Sequence, residues 1–386
     1  MYPRAAITRL EELWSQFPGV LILGARQVGK TTLARQCFPS IPYCDLEDPN
    51  LTRLFGEDPV FQIESRAKPS LILDEAQSVP EVFPALRGLI DAHRKQFGRF
   101  LILGSASPQL IRSISESLAG RVGILELDPL TAVETQSAPP RLSVDDLWLR
   151  GGFPDALTGS FREWWESYLR TFIERDLPYL HVGAGPLLLR RLLTMLAHRQ
   201  GGLLNASDFA RSLGVSHHTV QRYLDVLEQT FLVRRLPPYF RNVGKRLTKS
   251  PKVYLRDTGL LHHLLNIGSL DELANHPVRG ASWETFVIEE IIRREKLRAP
   301  NTQFFFWRTA AGAEVDLVLE RGSRRIAIEV KTGRGLDPRA AQGLAAAMED
   351  IDAVTGWIVD QANGVEPLKP RVNRRGFGVD VGWYPE

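Results

Sequence analysis

Short apolar runs separated by polar turns dominate the first third of the chain. Val20 to Leu23, Leu71 to Leu73, Phe100 to Leu103 and Val122 to Leu127 are brief and β-compatible. Such runs are expected of strands buried on both faces of a parallel sheet. Tyr43 to Leu46 predicts a further strand, while Thr32 to Cys37 and Pro108 to Leu118 predict helices. From Val144 to about His198 the pattern turns helical and rich in large apolar residues. Trp148, Trp164, Trp165, Tyr168 and Phe172 read as packing positions rather than base-stacking platforms. Ala206 to Leu213 and Ser216 to Gln229 then predict two amphipathic helices either side of a Gly214-Val215 turn, with a strand from Phe231 to Arg235 after them. The last third opens with a helix over Gly280 to Arg294 and continues with strands at Phe304 to Trp307, Val315 to Leu319 and Ile326 to Lys331.

Chemistry gathers at the ends of the apolar runs. Gly24-Ala25-Arg26-Gln27-Val28-Gly29-Lys30-Thr31 follows the first strand directly, and Thr32 continues into a helix. Strand, glycine loop and helix start in this order form a phosphate-binding P-loop. The glycines let main-chain N–H groups approach phosphate oxygens, and the helix adds its positive end. Lys30 is expected to pair with β- and γ-phosphates and the Thr31 hydroxyl to ligate Mg²⁺. Leu71-Ile72-Leu73 ends in Asp74-Glu75, the layout of a Walker B strand. Asp74 is expected to hold Mg²⁺ through water and Glu75 to polarise the attacking water as general base. Phe100 to Ser105 repeats the logic, a buried strand ending in a small polar residue.

Composition narrows the class without naming a partner. A chain of 386 residues, 44% hydrophobic and 24% charged, predicts two or three globular domains. A formal charge of +3 does not by itself imply nucleic acid, so local clustering must carry that argument. Cys37 and Cys44 form neither a CxxC pair nor a disulfide framework, which fits a reducing cytoplasm. No run reaches the length of a membrane span, and the N-terminus has no apolar core of a signal peptide, so no membrane contact is expected.

The middle of the chain has the spacing of a helix-turn-helix followed by a wing. His217, His218, Thr219, Gln221 and Arg222 lie near the start of the second helix, where a recognition helix meets base edges. Arg234, Arg235, Arg241, Lys245, Arg246, Lys249, Lys252 and Arg256 form a basic block that no acidic residue interrupts. Double-stranded DNA is therefore a candidate partner; packing or protein docking by the same fold is the alternative. In the last third, Glu284 points toward the apolar face made by Val287, Ile288 and Ile291, where an unpaired carboxylate is expensive, and Glu289 reads as nearer the edge. Alternation sets Ile326, Ile328 and Val330 on one strand face, with Glu329 and Lys331 on the other.

Gly24 to Thr31, Leu71 to Gln77, Leu101 to Ser107 and Leu118 to Leu130 together resemble a family of bacterial and archaeal AAA-type ATPases with a C-terminal nuclease-like domain. Gly151-Gly152-Phe153-Pro154 and the stretch from Lys252 to Leu260 look like further segments of it. The resemblance implies an α/β multidomain chain: an AAA-like P-loop core over 1–135, a helical lid over 136–200, a winged helix over 201–262 and a restriction-endonuclease-like domain over 263–386. It implies ATP and Mg²⁺ as cofactors, Ser105 or the nearby Ser107 as γ-phosphate sensor, and Arg121 as an arginine finger, with a solvated arginine as the rival. Asp316, then Glu329-Val330-Lys331 on the next strand, resembles the PD-(D/E)xK motif, although Val315 stands where that motif has proline. By that resemblance Asp316 and Glu329 are metal ligands, Lys331 is the catalytic lysine and Glu284 is a third acid. The expected function is ATP hydrolysis coupled to DNA binding or processing, within a candidate homo-oligomer. The alternative is an ATP-switched scaffold that binds a protein through a catalytically inactive nuclease-like domain.

Overall fold

Strand β1 (Gly19–Gly24) can be almost wholly apolar because it lies inside a parallel sheet, between β4 (Phe100–Ser105) and β5 (Val122–Glu126). β3 (Leu71–Asp74) lies on the far side of β4, and β2 (Tyr43–Asp45) forms the edge, giving the order β2-β3-β4-β1-β5. The strand after the Asp-Glu strand is thus inserted between it and the P-loop strand. One shared direction brings Gly24, Ser105 and Asp74 to the same rim, Gly24 in register with Ser105. In this computed structural model the described residues are 2–105, 110, 116–176, 185–240, 249–333, 338–362, 364–377 and 385. Ser107 and most of the helix expected from Pro108 lie outside them. Cys37 and Cys44 are free thiols. Among the described residues no helix is long and apolar enough to cross a membrane.

The middle of the chain is helical, as its pattern predicts, with helices Val144–Arg150, Phe161–Thr171 and Pro186–His198. Phe153, Trp164, Trp165 and Tyr168 pack on one another with ring centroids between 4.8 and 5.7 Å apart, so these aromatics are core. Helices Ala206–Leu213 and His217–Gln229 follow, joined through Gly214 in the left-handed region at φ 67°. The Ser216 hydroxyl accepts the Thr219 N–H at 3.1 Å and caps the second helix. An antiparallel ribbon of β6 (Val233–Leu236) and β7 (Lys252–Leu255) completes the unit.

The last third begins with the helix Arg279–Arg298, longer at both ends than its pattern suggests. An antiparallel meander follows: β8 (Gln303–Arg308), β9 (Glu314–Arg321) and β10 (Arg324–Val330). The helix Pro338–Ile351 then crosses to β11 (Thr355–Asp360), parallel to β10, and β12 (Val365–Lys369) and β13 (Val372–Gly376) close a six-stranded sheet. Glu289 is not near an edge. It is 2% exposed, because this helix is covered on several sides, and Arg234 and Arg256 meet its carboxylate.

One apolar core runs from Leu10 and Val20 through Trp165 and Leu224 to Val287 and Ile328. Polar bolts cross it. The Asp257 carboxylate accepts the Gly152 N–H at 2.9 Å, so close that a Cβ on Gly151 would lie 1.8 Å from it. His262 is fully buried, its Nδ1 2.8 Å from the Leu149 carbonyl and its Nε2 2.7 Å from the Ser282 hydroxyl.

Burial pushes the His262 imidazole down to about 4 from an ordinary 6.5. The unfolded chain therefore binds a proton that the fold excludes, and the stability His262 contributes is present above pH 6.5 and lost as the pH falls toward 4. Burial pushes Glu290 up to about 7, which works the other way between its ordinary 4.5 and 7. The His262 contribution is read as a difference: between pH 6.5 and 4 the unfolding free energy of the wild type should fall more than that of His262→Gln, by at most about 3 kcal/mol, in urea titrations at a series of pH values.

Candidate functional site

The loop after β1 is held in a shape that demands its glycines. Gly29 has φ 99°, and a Cβ at Gly24 would lie 2.4 Å from the Leu127 carbonyl oxygen. The helix Lys30–Cys37 starts at Gly29 and aims its N-terminus at the loop. Lys30 is buried, 5% exposed. Its Nζ donates to the carbonyls of Ala25 at 3.0 Å and Gly24 at 3.3 Å and to the Ser105 hydroxyl at 3.3 Å. Burial holds its pKa below the usual lysine value. Among the described residues no carboxylate pairs with it directly.

Residues from the helix start and from the ends of β3 and β4 gather beside this lysine. The Thr31 hydroxyl donates to Asp74 Oδ2 at 2.6 Å, and the Tyr43 hydroxyl donates to the same oxygen at 2.8 Å. Glu75 sits in the left-handed region at φ 48°, a strained backbone for a residue with a side chain. Its carboxylate accepts the Ser105 hydroxyl at 3.3 Å and the Ser105 N–H at 3.4 Å, and Gln77 donates to it as well. Lys30, Thr31, Asp74, Glu75 and Ser105 therefore form one cluster at the rim of the sheet.

A cavity of about 630 Å³ opens beside the loop, within the range of small-ligand sites. Gln27, Gly29, Lys30, Thr31, Thr32 and Glu75 line it on the side of the loop. The other end is built from residues the motifs do not reveal: Tyr2, Leu130, Pro139, Pro140, Pro154 and Leu157. Pro139 and Pro140, which belong to no motif, wall the cavity, and the Tyr2 hydroxyl donates to the Pro140 carbonyl at 2.7 Å. Arg4 escapes sequence reading entirely. It donates to the Val28 carbonyl at 3.0 Å, the Asp128 carbonyl at 2.5 Å and Glu134 Oε1 at 3.1 Å, tying the loop to the end of the sheet. The proline-rich lining and Arg4 come from distant chain segments, and only Pro154, within the Gly-Gly-Phe-Pro segment, carried a signal.

Position bears on two further expectations. Arg121 precedes β5 at the end where Val122 pairs with Gly19, the opposite end of β1 from the loop. It lies against Asp91, two bonds of 2.8 Å each, and is not brought to this cluster. Of the basic block's described residues, Lys249 is exposed, while Arg234, Arg235, Lys252 and Arg256 are engaged in ion pairs. Arg234 pairs with Glu289 at 2.5 Å, Arg235 with Asp225 at 2.8 Å, and Arg256 with Asp128 at 2.5 Å and Glu126 at 2.9 Å. Lys252 is likewise buried; Arg241, Lys245 and Arg246 lie outside the described residues. A count of charges in a sequence does not tell which way the side chains point. His217, His218 and Arg222 are exposed on their helix, as expected.

The C-terminal acids do come together, but not as a metal cage. Glu284, Glu314 and Asp316 surround Lys252 Nζ at 3.0, 2.5 and 3.4 Å. Glu329 follows Ile328, which pairs with Leu317, so it stands next to Asp316. Its carboxylate takes the Lys331 ammonium at 2.6 Å. Burial, then the nearby Asp316 charge, push Glu284 up to about 7 and Glu329 up to about 8. Among the described residues no three acidic, histidine or cysteine side chains are grouped to hold a metal ion. The expected metal ligands Glu284, Asp316 and Glu329 thus do not fit a metal here, because an ammonium group stands among them. Glu284 solves the cost foreseen for it with Lys252 and with the Tyr254 hydroxyl at 2.7 Å.

Three family models match successive stretches of the chain. Residues 16–136 match a family described as "AAA domain". Residues 141–271 and 279–373 match two families described as domains of unknown function. Uncharacterized proteins of Mycobacterium tuberculosis and Mycobacterium bovis are each 44% identical over 376 residues, covering 96% of this chain and 82% of theirs. Among solved structures, a Walker-type ATPase of Pyrococcus abyssi is 16% identical with a TM-score of 0.47, over 69% of this chain and 96% of that one.

Arg4 is the anchor most open to test. Arg4→Ala strands the buried Glu134 and frees the loop, and should lower unfolding free energy by about 3 kcal/mol in urea titrations. Arg4→Lys should recover little, since an ammonium lacks the fork that reaches three acceptors.

Proposed function

The chain belongs to the same family as these two mycobacterial proteins, with an AAA domain at its N-terminus, and on that premise we propose that it is a magnesium-dependent ATPase. The observation that carries the reading is the Lys30 ammonium, buried against main-chain carbonyls with no carboxylate of its own. A cation in that position is costly until an anion arrives, and a polyphosphate is the anion the loop geometry accepts. Thr31 and Asp74 offer adjacent hard oxygens, which suit Mg²⁺. The bound magnesium nucleotide supplies the electrophilic phosphorus and a Lewis acid. Lys30 then donates to the β- and γ-phosphate oxygens, and Glu75 takes the proton of the attacking water. Ser105, bonded to both Lys30 and Glu75, reports whether the γ-phosphate is present. The lining of Tyr2, Leu130, Pro139, Pro140 and Pro154 suits a flat base.

On the output side, the helix-turn-helix with its antiparallel ribbon supports a winged helix, with the exposed His217, His218 and Arg222 available to DNA. The helix, three-strand meander, helix and parallel strand of the last third support a restriction-endonuclease-like fold. A second reading is favoured by specific observations: Lys252 occupies the acidic cluster, and Arg234, Arg235 and Arg256 are spent on internal ion pairs. In that reading ATP state sets the position of a nuclease-like domain that cuts nothing and docks a protein.

Glu75→Gln should retain ATP and lose hydrolysis by about 100-fold or more, whereas Lys30→Ala should lose binding as well. Turnover of the wild type, measured with and without duplex DNA over a salt series, separates the outputs. Salt-sensitive stimulation supports a DNA-facing machine, and indifference to DNA supports the scaffold.

A further inference from the structure

The acidic cluster formed by β9 and the helix Arg279–Arg298 takes an ammonium group from outside both elements. Lys252 opens β7 in the helix-turn-helix unit, and its side chain is 4% exposed. Its Nζ stands 2.5 Å from Glu314 Oε1, 3.0 Å from Glu284 Oε1 and 3.4 Å from Asp316 Oδ1. Neighbouring groups share these carboxylates. Tyr254, on the same face of β7 as Lys252, donates to the same Glu284 Oε1 at 2.7 Å. Val330 N–H donates to the second oxygen of Asp316 at 2.8 Å, and Arg308 reaches the second oxygen of Glu314 at 3.1 Å.

We propose that Lys252 is the resident cation of this cluster, standing where an all-oxygen site of this composition would take a divalent metal, and that the C-terminal domain takes no metal while β7 is docked. Magnesium requires near-octahedral oxygens at roughly 2.1 Å, so it cannot share the space with an ammonium hydrogen-bonded to the same oxygens. Displacing the ammonium alone leaves a buried charge without a partner, which is strongly unfavourable. Displacing it with its strand means breaking the ladder in which Lys252 pairs with Leu236, and pulling Arg256 from Glu126, Asp128 and Glu289. The tether therefore favours the lysine over any ion drawn from solution. In Lys252→Met the stem remains and the charge goes, leaving three carboxylates facing one another with room for a divalent cation.

The test uses the full chain without nucleotide, so its result does not depend on the ATPase reading. Mn²⁺ binding is measured by the loss of the free-ion paramagnetic resonance signal for the wild type, Asp316→Asn, Lys252→Met and the double variant. The expected result is that wild type and Asp316→Asn bind Mn²⁺ alike, while Lys252→Met gains a site at least about tenfold tighter that the double variant lacks. Uptake by the wild type that Asp316→Asn abolishes would overturn the proposal, and this arm holds even if Lys252→Met does not fold. A folded Lys252→Met that gains no site would overturn it too.

Discussion

A positive charge withdrawn from water must meet a negative one, and three buried cations show how this chain meets that demand. Arg256 meets it within the protein, between Glu126 and Asp128 at the end of the parallel sheet and Glu289 on the long C-terminal helix. Lys252 meets it with three carboxylates from the C-terminal part. Lys30 does not meet it: its Nζ has carbonyls and a hydroxyl, which soften its desolvation without balancing its charge. The first two cations hold the parts together, and the third is the reason to look for a ligand.

The arrangement joins the cavity beside the P-loop to the far part of the chain through one short stretch. β7 begins at Lys252, inside the carboxylate cluster. Just beyond its end, Arg256 pairs with the parallel sheet, and Asp257 accepts the Gly152 N–H beside Pro154, which lines the cavity. Arg4 adds a second tie, from the loop carbonyl of Val28 to the main chain of Asp128, the residue whose side chain holds Arg256. Any change in the P-loop or in Gly152 is therefore mechanically adjacent to the strand that carries Lys252.

The sequence discloses the P-loop end of this scheme and conceals the other. β1, β3 and β4 are legible because a strand covered on both faces must be apolar throughout, and the P-loop residues lie next to one another in the chain. Convergence of Asp74, Glu75 and Ser105 follows from one rule, that parallel strands end on a common rim. Arg4, Tyr2, Pro139 and Pro140 carry no such rule; they reach the cavity only because the chain folds back over it. Arg234, Arg256 and Lys252 of the basic block turn inward for a related reason. They are basic because acids elsewhere, such as Glu289 and Glu284, need partners, and those acids are distant in sequence. Glu289 itself looked peripheral because a helical wheel assumes one buried face, whereas the helix Arg279–Arg298 is covered on several.

The account's central claim is that the buried Lys30 ammonium is completed by a magnesium-bound triphosphate. Calorimetric titration of the wild-type chain with ATP, in magnesium and then in excess chelator, tests it most directly. The account predicts saturable binding at one site per chain that weakens sharply when magnesium is removed. Absence of nucleotide binding under both conditions, from a folded protein, would contradict it.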